Sequence, residues 1–237
     1  MARTSLVGGL ALFASCGGAP PSDSEHASNS EGSDEGQLPP EEAEDGLQIQ
    51  GLMGTLSAME IRRGLDPRMP RFIQCFQQRY DELEMLGGEV NLSFRVAVNG
   101  SVRWVYPSAS TIGDRETERC LLSVAEGTRF PEPHGGEAEF SWPLAIDPPE
   151  DVRPPFNWDA TRVESVVSQN ASGVRGCGGG TFTVTAYVAP GGRVVAAGAA
   201  SGDADSAAAL DCVASEVTGW AMPDPGSYPA KVTFDVR

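Results

Sequence analysis

Five cysteines are the residues of this sequence best suited to chemistry: Cys16, Cys75, Cys120, Cys177 and Cys212. Thiolates attack electrophiles and bind metal ions, and two thiols oxidise to a disulfide in an exported protein. A nucleophilic or zinc site also needs a histidine or another base nearby. The two histidines are His26, in a polar acidic stretch, and His134, in a Pro-His-Gly-Gly turn. Neither position offers rigid support, so we predict no catalytic or metal site at the cysteines.

Other arrangements that could carry catalysis are weak. Glu116 and Glu118 lie two residues apart on a predicted helix, so they point to different faces and are interpreted as solvated surface charge. The glycine clusters at 87–88, 135–136 and 178–180 have no Lys-Ser/Thr after them, and we interpret them as turns instead of phosphate loops. We therefore expect a protein that is not an enzyme, with no cofactor, no metal and no small-molecule substrate.

Composition excludes some partners and leaves one alternative open. Acidic residues outnumber basic ones 33 to 17, for a formal charge of −16. Such a chain is repelled by nucleic acid and by anionic membrane surfaces, so neither is expected as a ligand. Aromatic residues could form a carbohydrate platform, although core or interdomain packing is the more usual role of such side chains. The four tryptophans concerned are Trp104, Trp142, Trp158 and Trp220.

Cys16 follows a segment typical of bacterial export signals. Arg3 supplies a positive charge, and residues 5–13 (SLVGGLALF) form an apolar run too short to span a bilayer. LFASC (12–16) resembles a bacterial lipobox, with Phe13 where those signals usually have leucine. The resemblance implies removal of residues 1–15 and acylation of Cys16, whose lipid would be the only membrane attachment. An ordinary signal peptide with an unrelated cysteine is the alternative.

Residues 16–50 are predicted to form a disordered tether between the lipid and the folded part. Positions 17–48 hold nine acidic residues and no lysine or arginine, a composition that cannot bury enough apolar surface to fold. Self-repulsion would extend such a chain away from the membrane. A specific acidic recognition tail is the alternative. Gly17 replaces the aspartate that retains many lipoproteins in the inner membrane, which favours the outer membrane.

The other four cysteines belong to an internal repeat. A shift of 92 residues places 87–145 on 179–237 without a gap, and 12 of the 59 positions are identical. The matches include a turn glycine, a cysteine and a Pro-x-Pro pair: Gly100 with Gly192, Cys120 with Cys212, and Pro131/Pro133 with Pro223/Pro225. A duplication predicts one disulfide in each copy, Cys75–Cys120 and Cys177–Cys212, each joining the two helices of its copy.

The first copy, 51–147, shows the clearer pattern. Apolar residues from Phe72 to Leu83 recur at helical spacing on a helix that starts near Pro70. Residues 90–98 alternate as a half-buried strand, Asn99-Gly100 makes a hairpin turn, and residues 102–106 return. A second helix over 114–126 carries Cys120, and residues 138–144 alternate as a third strand.

The second copy, 159–237, repeats this order more weakly after a proline-rich linker at 148–158. A short helix begins near Val163, residues 182–188 and 230–236 alternate as strands, and residues 207–217 form an alanine-rich helix. Each copy should therefore be an α+β domain with a three-stranded antiparallel sheet of order 2-1-3. Both helices should cover one face of that sheet.

Four strings in the first copy carry a family resemblance: GLMGTL (51–56), RFIQCF (71–76), STIGDRETERC (110–120) and FPEPHGGEAEF (130–140). They resemble the AgmX/PglI-type C-terminal domain of myxobacterial gliding-motility and envelope proteins. The wider pattern is similar to the TonB C-terminal domain. The resemblance covers about 95 residues and implies partner binding in the cell envelope, in gliding motility or transport. TonB proteins transmit force through a membrane helix that this sequence lacks, so energy transduction is not implied.

The sequence thus predicts a lipid-anchored envelope protein that binds an envelope protein partner, with a structural spacer of an envelope complex as the alternative. Exposed edge strands are the expected docking sites because they accept an added strand. Pro143 should blunt the edge in the first copy. In the second copy the edge should be free along its last strand, at Ala230, Val232, Thr233 and Phe234. Packing of the two copies over this edge is the alternative.

Overall fold

The computed structural model describes residues 53–237. The predicted signal segment, Cys16, the tether and His26 lie outside the described residues. The first half has three helices and three strands, in the order α1 (Ala58–Leu65), α2 (Met69–Gln77), β1 (Gly88–Val96), β2 (Val102–Ser110), α3 (Arg115–Glu126) and β3 (Ala138–Ile146). α1 is the element that the apolar periodicity did not predict.

Local sequence explains where these helices begin and end. Ser57 and Glu60 form a reciprocal capping box at the start of α1, which satisfies two otherwise free backbone N–H groups. Pro70 lies in the first turn of α2, where a missing N–H costs nothing. The Asp114 carboxylate accepts the N–H of Thr117 at the start of α3, and the helix ends at Gly127.

The first half is an α+β layer, as predicted. Its antiparallel sheet has the order β2-β1-β3, with β1 paired along its length to β3 from Gly88–Ile146 to Val96–Ala138. Alternate residues of β1 are buried against the helices. The core under the sheet contains Phe72 and Phe76 of α2 and Leu121 of α3.

The second half repeats this order and adds one strand. Its elements are β4 (Phe156–Trp158), α4 (Glu164–Cys177), β5 (Phe182–Val188), β6 (Val194–Ser201), α5 (Leu210–Thr218) and β7 (Ala230–Val236). The sheet order is β4-β7-β5-β6, in which β6-β5-β7 is the predicted 2-1-3 arrangement. β4 pairs parallel to β7, so the predicted linker at 148–158 differs from the structure at its end.

The 92-residue repeat is visible in backbone detail. Gly100 and Gly192 have φ of 76° and 80°, a conformation that glycine adopts without strain. A Cβ there would lie 2.0 Å from the Phe130 oxygen in the first half and 2.1 Å from the Met222 oxygen in the second. Both carbonyl oxygens of the glycines accept a backbone N–H at 2.9 Å from those same residues. Positive φ and close approach therefore explain why both copies keep this glycine.

The two halves pack against each other within the described residues. The helix-free face of the second sheet lies on β2, the 110–114 turn and α3 of the first half. The Tyr187 hydroxyl donates to the Gly87 oxygen at 3.3 Å, and the Thr185 hydroxyl donates to the Ser110 oxygen at 3.1 Å. The second sheet is thus covered on both faces, by its own helices and by the first half. Consecutive residues of β5 from Val184 to Val188 are buried for this reason.

Candidate functional site

Both disulfides connect helices within one half, as the repeat predicts. Cys75 of α2 is bonded to Cys120 of α3, and Cys177 of α4 is bonded to Cys212, with Cα–Cα distances of 5.6 and 5.5 Å. Cys75 is buried, whereas Cys212 is exposed on α5. Each disulfide therefore ties two helices of its own half together. They are structural features and do not line the candidate site.

Glu118 is the most unusual side chain at the boundary between the halves. It is only 1% exposed, and it accepts the Ser110 hydroxyl at 2.7 Å and the Ala199 N–H at 3.1 Å. Arg115 lies 3.2 Å from the same carboxylate and also bonds Asp211 of α5. Burial raises the pKa of Glu118, while Arg115 and the two hydrogen bonds oppose that rise. The carboxylate therefore satisfies one backbone N–H of β6 that does not take part in the pairing with β5.

The interpretation of Glu118 as solvated surface charge was therefore wrong, whereas Glu116 is exposed as expected. Glu118 lies three and seven residues before Leu121 and Ala125, which are fully buried on the same helix. That spacing places it on the inner face of α3 and could have signalled its burial. The sequence holds no sign of its partner on β6, since Ala199 contributes only a backbone group.

The predicted free edge in the second half is also corrected by the structure. Ala230 and Val232 are already paired on their outer side, to Phe156 and Trp158 of β4. Thr233 hydrogen-bonds the Thr185 hydroxyl at 2.8 Å, and Phe234 is buried in the core. The prediction is wrong at residues 230–232, because a strand from the presumed linker pairs with them. The alternative predicted that the two copies pack together, and they do so, with the first half on the face of the second sheet.

An edge strand of the first half, β3, is open along most of its outer side within the described residues. Its inner side pairs with β1, and on its outer side Gly54 forms a single bridge at Ala138. From Glu139 to Ile146 the outer side of β3 has no backbone partner within residues 53–237. We call this segment the open edge.

The direction of backbone groups along the open edge follows from Pro143. Proline is tolerated in a paired strand where its nitrogen faces away from the ladder. Because backbone direction alternates along a strand, the N–H groups of Glu139, Ser141 and Ala145 also face outward. Three donors therefore point away from β1. Pro143 interrupts this row at one position only, so it blunts the edge less than the sequence suggested.

Aromatic and charged side chains flank the open edge. Trp142 packs on Phe72 at 5.1 Å between ring centroids, and Phe140 stacks on Phe94 at 4.9 Å, yet both edge residues remain half-exposed. At the start of the strand, Arg95 bonds Glu137 at 2.5 Å. Hydrogen bonds from Arg95 and Arg103 lower the pKa of Glu137. The edge thus combines half-exposed rings with unpaired backbone groups, which suits an extended peptide.

The four tryptophans do not form the alternative aromatic platform. Trp142 faces the helices, Trp220 is buried in the second core, and Trp158 lies on β4 beneath Arg162. Trp104 lies on the helix-free face of the first sheet, 5.4 Å from Tyr106. Their positions are those of core and strand residues on separate surfaces.

A cavity with a volume of about 560 Å³ lies between the halves. Its polar lining includes Lys231, the single lysine of the sequence. The Lys231 Nζ donates to the Gly87 oxygen at 2.7 Å and lies 5.0 Å from the centre of the Tyr187 ring. Burial lowers the pKa of this amine to about 8. No motif or spacing in the sequence indicates this position of Lys231.

Residues considered for catalysis or metal binding remain apart. His134 is exposed and lies 3.2 Å from Glu60 at the start of α1. Within residues 53–237, no three histidine, cysteine or acidic side chains are grouped as metal ligands are. Gly88, Gly135, Gly136, Gly178 and Gly180 have positive φ, as turns and strand ends allow. None of the helices in the described part is long and apolar enough to cross a membrane.

Comparison with known proteins finds no matching family model and no matching curated protein. Among solved structures, the NMR structure of the Helicobacter pylori TonB C-terminal domain is similar at 19% identity. The match covers 41% of this chain and all of that chain, with a TM-score of 0.25. The α+β class of each half follows from its own helices and sheet pairings.

Proposed function

We propose that this chain is a lipid-anchored envelope protein, acylated at Cys16 and held at the outer membrane, that binds another envelope protein. The contact is the open edge of β3, which takes up an extended segment of the partner as an added strand. The observation that carries this proposal is the difference between edges. Glu118 accepts an N–H of β6 and β4 pairs with residues 230–232 of β7, whereas β3 is unpaired from Glu139 onward in the described residues.

The chemistry of the edge supports a protein partner. Added strands gain their affinity from backbone hydrogen bonds and their specificity from pockets for alternate side chains. Here the outward N–H groups supply the backbone hydrogen bonds. The half-exposed rings of Phe140 and Trp142 supply contacts for alternate side chains of the added strand. The lipobox-like LFASC and the acidic tether support an envelope location. Gliding motility or envelope transport is the context that the resemblance in the first half implies.

The repeat offers a matched test of the edge. Ser141 and Thr233 are equivalent positions, and Ser141→Pro removes an outward N–H without disturbing pairing to β1. The full-length chain with Ser141→Pro should capture at least tenfold less partner from solubilised envelopes than the wild type does. The Ser141→Ala variant should capture as much partner as the wild type. Thr233→Pro should retain capture if β7 is not the docking edge. Circular dichroism and the disulfide state check that each variant is folded.

Two results would overturn the edge assignment. One is unchanged capture by a folded Ser141→Pro variant, and the other is equal loss in both proline variants. The anchor has its own test, because Cys16→Ser removes the acylated thiol. That variant should move from the membrane pellet to the soluble fraction, and continued sedimentation with membranes would exclude lipidation at Cys16.

A spacer that binds no mobile ligand is a second candidate function. The buried contacts of Glu118, Thr185 and Tyr187 join the halves firmly, and a rigid body suits a structural subunit. A spacer would recover only a fixed complex in stoichiometric amounts. It would also tolerate Ser141→Pro, so the same capture experiment separates the two functions.

A further inference from the structure

We propose that the cavity around Lys231 is a binding site for a small zwitterion, an α-amino acid or short peptide with a free carboxylate and a free amino group. The carboxylate binds Lys231, and the amino group binds the acidic rim. We call this site the lysine cleft; it is lined by Gly88, Glu89, Thr111, Ala145, Asp147, Asn157, Trp158, Lys231 and Thr233. It is separate from the open edge and goes beyond the proposed function.

The placement of Lys231 follows from strand alternation. Ala230 and Val232 point into the second core, so Lys231 points to the helix-free face, between Asn157 of β4 and Tyr187 of β5. There its amine reaches across to the Gly87 oxygen of the first half. The equivalent residue in the first half is Glu139, on the solvent side of β3. The second copy thus has a cation where the first copy has an anion.

The amine is half-buried and lacks a carboxylate partner. Within the described residues, each salt bridge shorter than 4.0 Å joins an arginine or a histidine to an acidic side chain. None of these salt bridges involves Lys231. An ammonium has three donors, and the Gly87 oxygen takes one. Burying a cation without an anion is unfavourable, and the lowered pKa reflects that burial. A ligand carboxylate would supply the missing charge.

The rim of the cleft defines the other half of the ligand. Glu89 and Asp147 line the cleft and are exposed, whereas Lys231 is half-buried. A simple anion would be repelled by these two carboxylates and by the charge of −16. A molecule with both charges matches the cleft in both places. The volume of about 560 Å³ lies within the usual range for small-molecule sites, so a tripeptide fits.

Isothermal titration calorimetry of the full-length chain with tri-alanine tests the site. Wild-type protein should bind tri-alanine, and removal of either charge from the peptide should weaken binding at least tenfold. The capped probes are tri-alanine amide, which lacks the carboxylate, and acetyl-tri-alanine, which lacks the amine. These probes need no protein variant, so the result does not depend on a variant that folds.

Protein variants then assign the two contacts. Lys231→Met keeps the apolar stem and should weaken tri-alanine binding at least tenfold. Glu89→Gln should weaken it severalfold, and should not affect acetyl-tri-alanine. Arg193→Met removes an exposed cation from the β5–β6 turn of the same half and should leave the affinity unchanged within twofold. Unfolding midpoints confirm that each variant keeps its structure.

The single lysine permits an independent readout. Acetylation of Lys231 by an amine-selective ester, followed by mass spectrometry of its peptide, should slow at least fivefold when tri-alanine saturates the site. Absence of tri-alanine binding would overturn the proposal, as would equal affinity for the capped peptides or unslowed acetylation. In those cases the amine serves only to join the halves through Gly87.

Discussion

The helix-free faces of the two sheets have the same backbone and opposite surroundings. In the first half this face is the solvent side of β1, β2 and β3, and in the second half it is the contact with the first half. At equivalent positions on this face the two copies carry different residues. The first copy has Arg95, Trp104, Tyr106 and Glu139 where the second copy has Tyr187, Ala196, Gly198 and Lys231. The residues on this face therefore determine whether the sheet of a copy faces solvent or packs against the other half.

Small side chains explain the close contact in the second half. Gly198 has so little room that a Cβ would lie 2.4 Å from Glu118 Oε1 and 3.0 Å from the Asp114 nitrogen. Tyr106 at the equivalent site is half-exposed beside Trp104. The duplication kept turns, disulfides and strand order, while this face changed from a solvated surface to a buried interface. The weaker hydrophobic alternation in the second copy thus reflects burial on both faces of its sheet.

Loss of the Glu118 carboxylate should have the largest effect on the contact between the halves. Glu118→Ala leaves the Ala199 N–H and the Ser110 hydroxyl without a partner and opens a cavity. We expect a loss of about 3–5 kcal/mol in the free energy of unfolding, because buried polar groups lose their partners. Urea unfolding measures it.

Glu116→Ala on the same helix is the matched control, since Glu116 is exposed. It should change the free energy of unfolding by no more than about 0.5 kcal/mol. Equal stability of the two variants would mean that the first half is not held to β6 through Glu118.

Removal of the two disulfides should have different effects on the helices that they hold. Sequence separations of 45 and 35 give similar loop entropies, about 4 kcal/mol each as an upper figure. α2 buries Phe72 and Phe76, whereas Val174 is the fully buried residue of α4. Replacing Cys177 and Cys212 by serine should therefore also release α4 locally. Amide hydrogen exchange should accelerate across 164–177.

The corresponding serine pair at Cys75 and Cys120 is the comparison for that experiment. It should lower the overall stability but leave α2 protected while the chain is folded, because its aromatic anchors remain. Equal acceleration of α2 and α4 would show that the two bridges have the same role, against the asymmetry proposed here.

Substitution of Gly198, at the contact between the halves, should have a smaller effect on stability. Gly198→Ala should destabilise the protein by about 1–3 kcal/mol, since a methyl group must displace Glu118 or the α3 start. Tyr106→Ala, at the equivalent exposed site, should cost less. Thermal unfolding of both variants measures the difference, and a larger cost for Tyr106→Ala would contradict the assignment of the two faces.

The sequence predicted the repeated unit well because its signals are local. Strand alternation, the glycine turns and the helix that carries Cys120 depend on nearby residues, and the structure has all of them, as it has the two cysteine pairs. The order 2-1-3 also followed, since the repeat limits the possible connections. These features do not require knowledge of how the halves meet.

The candidate site depended on contacts that local patterns do not encode. β4 has three residues in a proline-rich stretch, too short to show alternation, and its partner β7 is about 70 residues away. The burial of Glu118 and the position of Lys231 both result from packing between halves. For this reason the sequence predicts a free edge on β7, where β4 pairs with residues 230–232, whereas the docking edge that we propose is on β3.

The smallest expected effect is a pH dependence that separates Glu118 from the other carboxyls. Its folded pKa is raised above 4.5, mainly by burial, so the folded state holds this proton more tightly than the unfolded state. The corresponding stability is present below the unfolded pKa and is lost as pH rises through the folded pKa.

Glu118→Gln mimics the protonated form at every pH. The free energy of unfolding of the wild type minus that of Glu118→Gln should therefore fall as pH rises from 4 through the folded pKa. Glu137, whose pKa is lowered by hydrogen bonds from Arg95 and Arg103, shares no partner with Glu118 and titrates alike in both proteins. A difference that rises with pH would mean that Arg115 and the hydrogen bonds outweigh burial, and the carboxylate would then hold the halves together in its charged form.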